Sequence, residues 1–226
     1  VLRNAAQILA TEDIPDALNF WQKIFQKGEG TVEDRVRYST LAIRLRRFAL
    51  AKREVEELLK AEPKDPVVQR LAIQLAQATG NWTEAIAECR RLAANEDNEV
   101  GRYNLGHTLV QASKPELGSQ ATPEQVKWAE EGSRMLLPLA STPGPLQSAA
   151  ASALADSVNL QGEAARVVLE SLAKLTNKTA ADVLSMAVIQ AKADPAKAPD
   201  AAQMIVRELA NSPLESRLRA AEWLSS

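Results

Sequence analysis

The stretch Gly80-Asn81-Trp82-Thr83-Glu84-Ala85-Ile86 decides the architecture. Before it, Val68, Leu71, Ala72, Leu75 and Ala76 recur at helical spacing; after it, Ala85, Ile86, Cys89, Leu92 and Ala93 do the same. Gly80 ends the first helix, because the left-handed backbone needed there costs a residue with a Cβ roughly 1 kcal/mol. So little chain separates the two helices that they must lie antiparallel, with Trp82 wedged at the turn. The stretch is a helical hairpin.

The hairpin repeats. Ala85 has counterparts in Ala51 and Ala17, two steps of 34 residues. Three residues upstream stand Ile14, Phe48 and Trp82; four downstream come Trp21, Val55 and Cys89, and seven downstream Ile24, Leu58 and Leu92. A small residue lets two helix backbones approach, and large neighbours fill the remaining space. Three such sets in one register predict three equivalent hairpins. Phe48 and Trp82 are expected as interior side chains.

These residues carry a family resemblance. Gly80-Asn81-Trp82-Thr83-Glu84-Ala85-Ile86, the series Phe48, Ala51, Val55, Leu58 and Pro63, and Tyr103-Asn104-Leu105-Gly106 resemble tetratricopeptide repeats (TPR), with the 34-residue period of that family. The resemblance covers residues 14 to 112 best and weakens beyond them. Cys89 departs from it by standing where a bulkier residue is usual. It implies an all-α, right-handed α-solenoid with a concave groove that holds peptides or protein segments. About six hairpins and a terminal helix are expected within one solenoid over residues 1–226. The more regular repeats fill 1–112, an inserted loop 113–122, degenerate repeats 123–211 and the terminal helix 213–225.

Composition fits helices. The chain has 226 residues, 46% of them hydrophobic and 25% charged, with a formal net charge of −2. Aromatic residues are few, and Ala and Leu dominate, which argues against a sheet. The small net charge gives no general pull toward nucleic acid or an anionic membrane. One Cys excludes an internal disulfide, and no apolar run approaches the roughly 20 residues of a membrane span. The chain opens at Val1 inside a helix, as an excerpt of a longer protein would; cytoplasm and periplasm both fit it, and the compartment is not assigned.

Along the chain, helices are expected at 1–10 and 16–27, then at 32–46 behind a Thr31 N-cap, and at 49–61. Asp65-Pro66 opens the next repeat as cap and first helical residue. A helix at 99–112 leads into the polar insert 113–122, expected to project from the surface. Thr122-Pro123-Glu124-Gln125 restarts the helical pattern with a capping box, and Val126, Ala129, Ser133 and Leu136 recover the offsets. Pro138 is expected to kink or end that helix. Helices at 146–158 and 163–175 are expected to form a fifth hairpin, with Ala165, Leu169 and Leu172 at the same offsets. A helix at 180–193 capped by Thr179 then pairs with one marked by Ala202, Val206 and Leu209. Ser212-Pro213-Leu214-Glu215 reads as the capping box of the terminal helix.

The chemistry-bearing residues favour binding over catalysis. His107 is the single histidine, Cys89 lies on a buried stripe, and no glycine-rich phosphate loop occurs. No cofactor or metal is implied. Glu54, Glu56 and Glu57 read as solvated helix faces, with Glu56 and Lys60 as an i,i+4 pair. The basic run Arg44-Leu45-Arg46-Arg47 with Lys52 and Arg53 reads as part of that salt-laced surface. The sequons at Asn81 and Asn177 read as accidental.

If the resemblance holds, the first helix of each repeat turns one polar stripe toward the groove. Those stripes are Arg37, Thr40 and Arg44; Arg70, Gln74 and Gln77; and Asn104, His107 and Gln111. Ala149, Ala150, Ala153 and Leu154 would continue behind them as an apolar wall. The expected function is a non-catalytic protein–protein interaction scaffold that binds a segment bearing a carboxylate, without nucleic acid and without membrane insertion. Two alternatives stay open: an accessory or regulatory domain of a larger enzyme or secretion assembly, and a structural array that self-associates through its ends.

Overall fold

A computed structural model describes residues 2–11, 15–95, 98–115, 119–157 and 159–209; Ile14, 116–118 of the insert, and the expected terminal helix with its capping box lie outside them. Among the described residues the fold is all-α. The helices are α1 (Leu2–Thr11), α2 (Asp16–Gln26), α3 (Val32–Arg44), α4 (Phe48–Ala61), α5 (Pro66–Ala78), α6 (Trp82–Asn95), α7 (Glu99–Ala112), α8 (Pro123–Ser141), α9 (Gln147–Ala155), α10 (Gly162–Ala173), α11 (Ala180–Ala193) and α12 (Ala198–Leu209), with one 3-10 turn, Pro195–Lys197. The chain divides into two compact units, Val1–Asn95 and Glu96–Ser226.

In the first unit α1 pairs with α2, α3 with α4 and α5 with α6, while α3 also packs against α5. The three alanines, Ala17, Ala51 and Ala85, are buried completely, and Trp21, Val55, Cys89, Ile24, Leu58 and Leu92 fill the space around them. The start signals act as expected. Thr31 and Asp34 form a reciprocal capping box, and the Asp65 carboxylate accepts from the amides of Val67 and Val68.

The repeat extends to the turns. Gly80 has φ +73°; its amide donates to the Gln77 carbonyl at 3.1 Å, and the Asn81 amide donates to Ala76 at 2.8 Å. Thirty-four residues earlier, Arg46 has φ +55°; its amide donates to Ile43 at 2.9 Å and that of Arg47 to Ala42 at 2.7 Å. The two helix ends are closed by one and the same bonding pattern, once with glycine and once with arginine.

Several expectations are corrected in this unit. Phe48 and Trp82 are half-buried. Each is the first residue of its helix, at the hairpin's edge, where the chain has just left the turn. The fully enclosed aromatic side chains are Trp21 and Tyr38, in edge-to-face contact at 6.5 Å. Glu54 is buried, because α4 turns it toward Arg35 of α3. Lys60 pairs with Glu57 at 2.7 Å rather than with Glu56.

In the second unit α7 and α8 form the closest helix pair. A Cβ on Gly132 would lie 2.8 Å from the Gly106 carbonyl oxygen and 3.0 Å from both Leu109 Cβ and Val110 Cγ2; one on Gly106 would meet Leu136 Cγ at 2.8 Å. The two glycines are the crossing point, so Gly132 belongs inside the helix. α8 runs through Pro138 to Ser141, and its capping box at Thr122 and Gln125 forms as expected. Because Pro138 has no N–H, the Arg134 carbonyl lacks the i+4 donor it would otherwise have. Ala129 and Leu136 are buried, Ser133 is half-buried and Val126 is exposed.

α9 packs mainly on α8 and α11, and α10 on α11 and α8, so α9 and α10 are not the tight pair expected of a fifth hairpin. Six of its nine residues are buried: Gln147, Ala150, Ala151, Ala153, Leu154 and Ala155. Small side chains allow neighbours on several flanks, which places Ala150, Ala153 and Leu154 in the core rather than on an apolar wall. Ala149 is half-buried. At the α9 C-terminus the Lys192 ammonium donates to the carbonyls of Ala155 and Ser157, both at 2.6 Å, supplying a cation where helix carbonyls lack partners. Further on, α12 buries Ala201 and Ile205, one position before the expected Ala202 and Val206, and Val206 is exposed.

Candidate functional site

α3 is held by its buried edge. The Asp34 carboxylate accepts from the Thr31 amide at 3.1 Å, from the Thr31 hydroxyl at 3.0 Å and from the Arg3 guanidinium at 3.1 Å. Burial pushes the Asp34 carboxyl up, but the hydrogen bonds from Thr31 and the Arg3 charge outweigh it, and the group sits below the usual carboxylate range. The next residue, Arg35, donates to Glu54 Oε2 at 2.7 Å, and Arg53 donates to Glu54 Oε1 at 3.1 Å. The Arg35 guanidinium also lies over the Phe25 ring, 5.1 Å from its centroid. These contacts fix which face of α3 looks inward.

Arg37 and Arg44 are exposed and Thr40 is half-buried. Arg37 donates to Glu33 Oε1 at 2.7 Å, an exposed i,i+4 pair worth about 0.3–0.5 kcal/mol. The Thr40 hydroxyl donates to Val36 of its own helix at 2.8 Å. On α5, Arg70 and Gln74 are exposed and Gln77 is half-buried. Arg44, Arg70 and Gln77 each have a further polar contact. Because α3 packs on α5, these six residues belong to neighbouring helices of one unit. None of them lines the concavity of about 390 Å³ in that unit, whose floor is Val55, Leu59, Ala72, Leu75 and Ala76 and whose rim includes Lys52, Glu56 and Glu84.

The α7 stripe is enclosed more than a groove face would be: Asn104, His107 and Gln111 are all half-buried. The imidazole of His107 stacks on Tyr103 with centroids 5.8 Å apart and rings 9° from parallel. The Gln111 amide nitrogen lies 3.5 Å from His107 Nε2 and donates to Asp156 Oδ2 at 3.4 Å. Asp156 also accepts from Lys114 at 3.1 Å, and nearby the hydroxyls of Ser133 and Ser157 lie 2.8 Å apart. A carboxylate of the protein itself thus engages one donor that the sequence offered to a ligand, the Gln111 amide. Asp156, Lys114 and Lys192 were not singled out by the sequence. Tyr103 and His107, one helical turn apart, were the local signal; Asp156, on a segment 45 residues from Gln111, gave none.

Cys89 is buried. Among the described residues no group of three or more His, Cys, Asp and Glu is placed to hold a metal ion, and no helix is long and apolar enough to cross a membrane. No protein-family model, curated protein or solved structure matches the chain.

Proposed function

We propose that the chain is a non-catalytic interaction scaffold, a right-handed solenoid of tetratricopeptide-like hairpins that takes a peptide or protein segment on its first-helix stripes. The observation that supports this reading best is the 34-residue repeat of the first unit, which recurs in the buried alanines and in the hydrogen bonds that close α3 and α5. A repeated rigid surface suits extended ligands, because less freedom is lost on binding than with a mobile one. The ligand would carry a carboxylate. The exposed Arg37, Arg44 and Arg70 supply guanidinium forks, with Thr40, Gln74 and Gln77 beside them; the half-buried Asn104, His107 and Gln111 form a second, more enclosed stripe.

The test is selection of peptides from a random library, with free or amidated C-termini, followed by calorimetry at two salt concentrations. Binding should weaken as salt rises, and Arg70→Ala and Arg37→Ala should each weaken it about tenfold. Arg47→Ala, an exposed residue at the α4 N-cap, should leave it unchanged. Selected peptides that ignore Arg37 and Arg70, or none above background, would remove this reading.

A further inference from the structure

A cleft of about 470 Å³ opens in the second unit between the start of α7, the C-terminal part of α8 and the loop into α9. That volume falls in the range of small-molecule sites, roughly 300–1,000 Å³. Apolar lining comes from Met135, Leu139 and Leu146, all half-buried, and from the exposed Pro138. Two exposed arginines, Arg102 of α7 and Arg134 of α8, line the same cleft, against the single lining carboxylate of Glu99. Glu99 stands in the first turn of α7, where the helix dipole favours its charge. Arg102 keeps a polar contact within the protein. The far side is formed by Leu146 and Gln147 at the start of α9, whose N-cap residue supplies no side-chain cap.

We propose that this cleft binds a small amphiphilic monocarboxylate, its carboxylate against Arg102 and Arg134 and its hydrocarbon part along Met135, Pro138, Leu139 and Leu146. The side-chain inventory selects that class. Guanidinium groups pair well with a carboxylate, and the uncovered apolar surface rewards a hydrocarbon tail. A cation would meet two like charges, and a second carboxylate would meet Glu99. The proposal is independent of the peptide-binding reading and uses none of its residues.

The experiment is an NMR titration of the whole chain with butyrate, hexanoate and octanoate below their micellar concentrations, with octanamide as the uncharged control. Affinity should rise roughly three- to fourfold per added methylene until the cleft is filled. Octanamide should bind at least tenfold more weakly than octanoate, and Arg134→Gln and Arg102→Gln should each weaken octanoate by a similar factor. Arg166→Gln, at an exposed residue paired with Glu163 elsewhere in the unit, should bind octanoate as the unaltered protein does. Octanamide binding as tightly as octanoate would overturn the proposal. So would indifference to both arginine substitutions, to chain length, or the lack of any saturable binding.

Discussion

Replacing Arg46 by glycine should stabilise the protein. Arg46 holds φ +55° at the end of α3, in the bonding pattern that Gly80 uses at the end of α5. A side chain in that region costs about 1–2 kcal/mol, while glycine returns roughly 0.5–1 kcal/mol through the greater freedom of the unfolded chain. The net gain for Arg46→Gly is therefore about 0.5–1 kcal/mol. Gly80→Ala is the reciprocal test. A Cβ there would meet nothing within 4 Å, so no clash adds to the backbone strain and the loss should be about 1 kcal/mol. Because local segments can open without global unfolding, the assay combines urea denaturation followed by circular dichroism with hydrogen exchange of the Arg46 and Arg47 amides. Arg46→Gly should raise the midpoint and slow exchange of those amides. A neutral or destabilising Arg46→Gly, together with a harmless Gly80→Ala, would mean that the two turns are not equivalent.

Other perturbations separate core from edge. Trp21→Ala should cost about 3–5 kcal/mol, and Trp82→Ala clearly less, about 1–2 kcal/mol, because only part of that ring is covered; denaturation midpoints give the order, and the reverse order would contradict it. Gly132→Ala should cost about 1–3 kcal/mol by driving a methyl into the α7 backbone, and circular dichroism melting will show it. Asp34 has a depressed folded pKa, so its contribution is present above its unfolded pKa of about 3.9 and is lost as pH falls through the folded value. Asp34→Asn should therefore lower stability by about 1 kcal/mol at pH 7, and the gap in urea midpoints should narrow below about pH 4; an unchanged gap would remove Asp34 from the acid limb.

The hairpins of the first unit were legible because their signal is local and repeated: a small residue, large ones at fixed offsets, and a glycine or a capping pair at the boundaries that follow α2, α4 and α5. The caps at Thr31, Asp65, Thr122 and Thr179 were readable for the same reason, since each bond spans only two or three residues. Burial of Glu54 was not readable, because a carboxylate among other charges looks the same whether or not Arg35 of the preceding helix faces it. Arg46 hid a helix end that glycine would have announced. In the second unit the pairing of α9 rests on alanines that mark no preferred face, so spacing alone could not name its neighbours. On the binding stripes the residue types and helix positions were visible. That Gln111, beside His107, donates to an internal carboxylate at Asp156 depends on the chain's return 45 residues later.

The matched turns at Arg46 and Gly80 also define a module. Excising Arg47 through Gly80 would splice Arg46 to Asn81, and the new junction would inherit a backbone state already in use at both old ones. Doubling the same segment would do likewise. Length in this part of the chain can therefore change by whole hairpins without inventing a new turn. Unequal recombination between such equivalent points would add or remove one hairpin in a single step, with the turn at the junction already formed by the backbone states at Arg46 and Gly80.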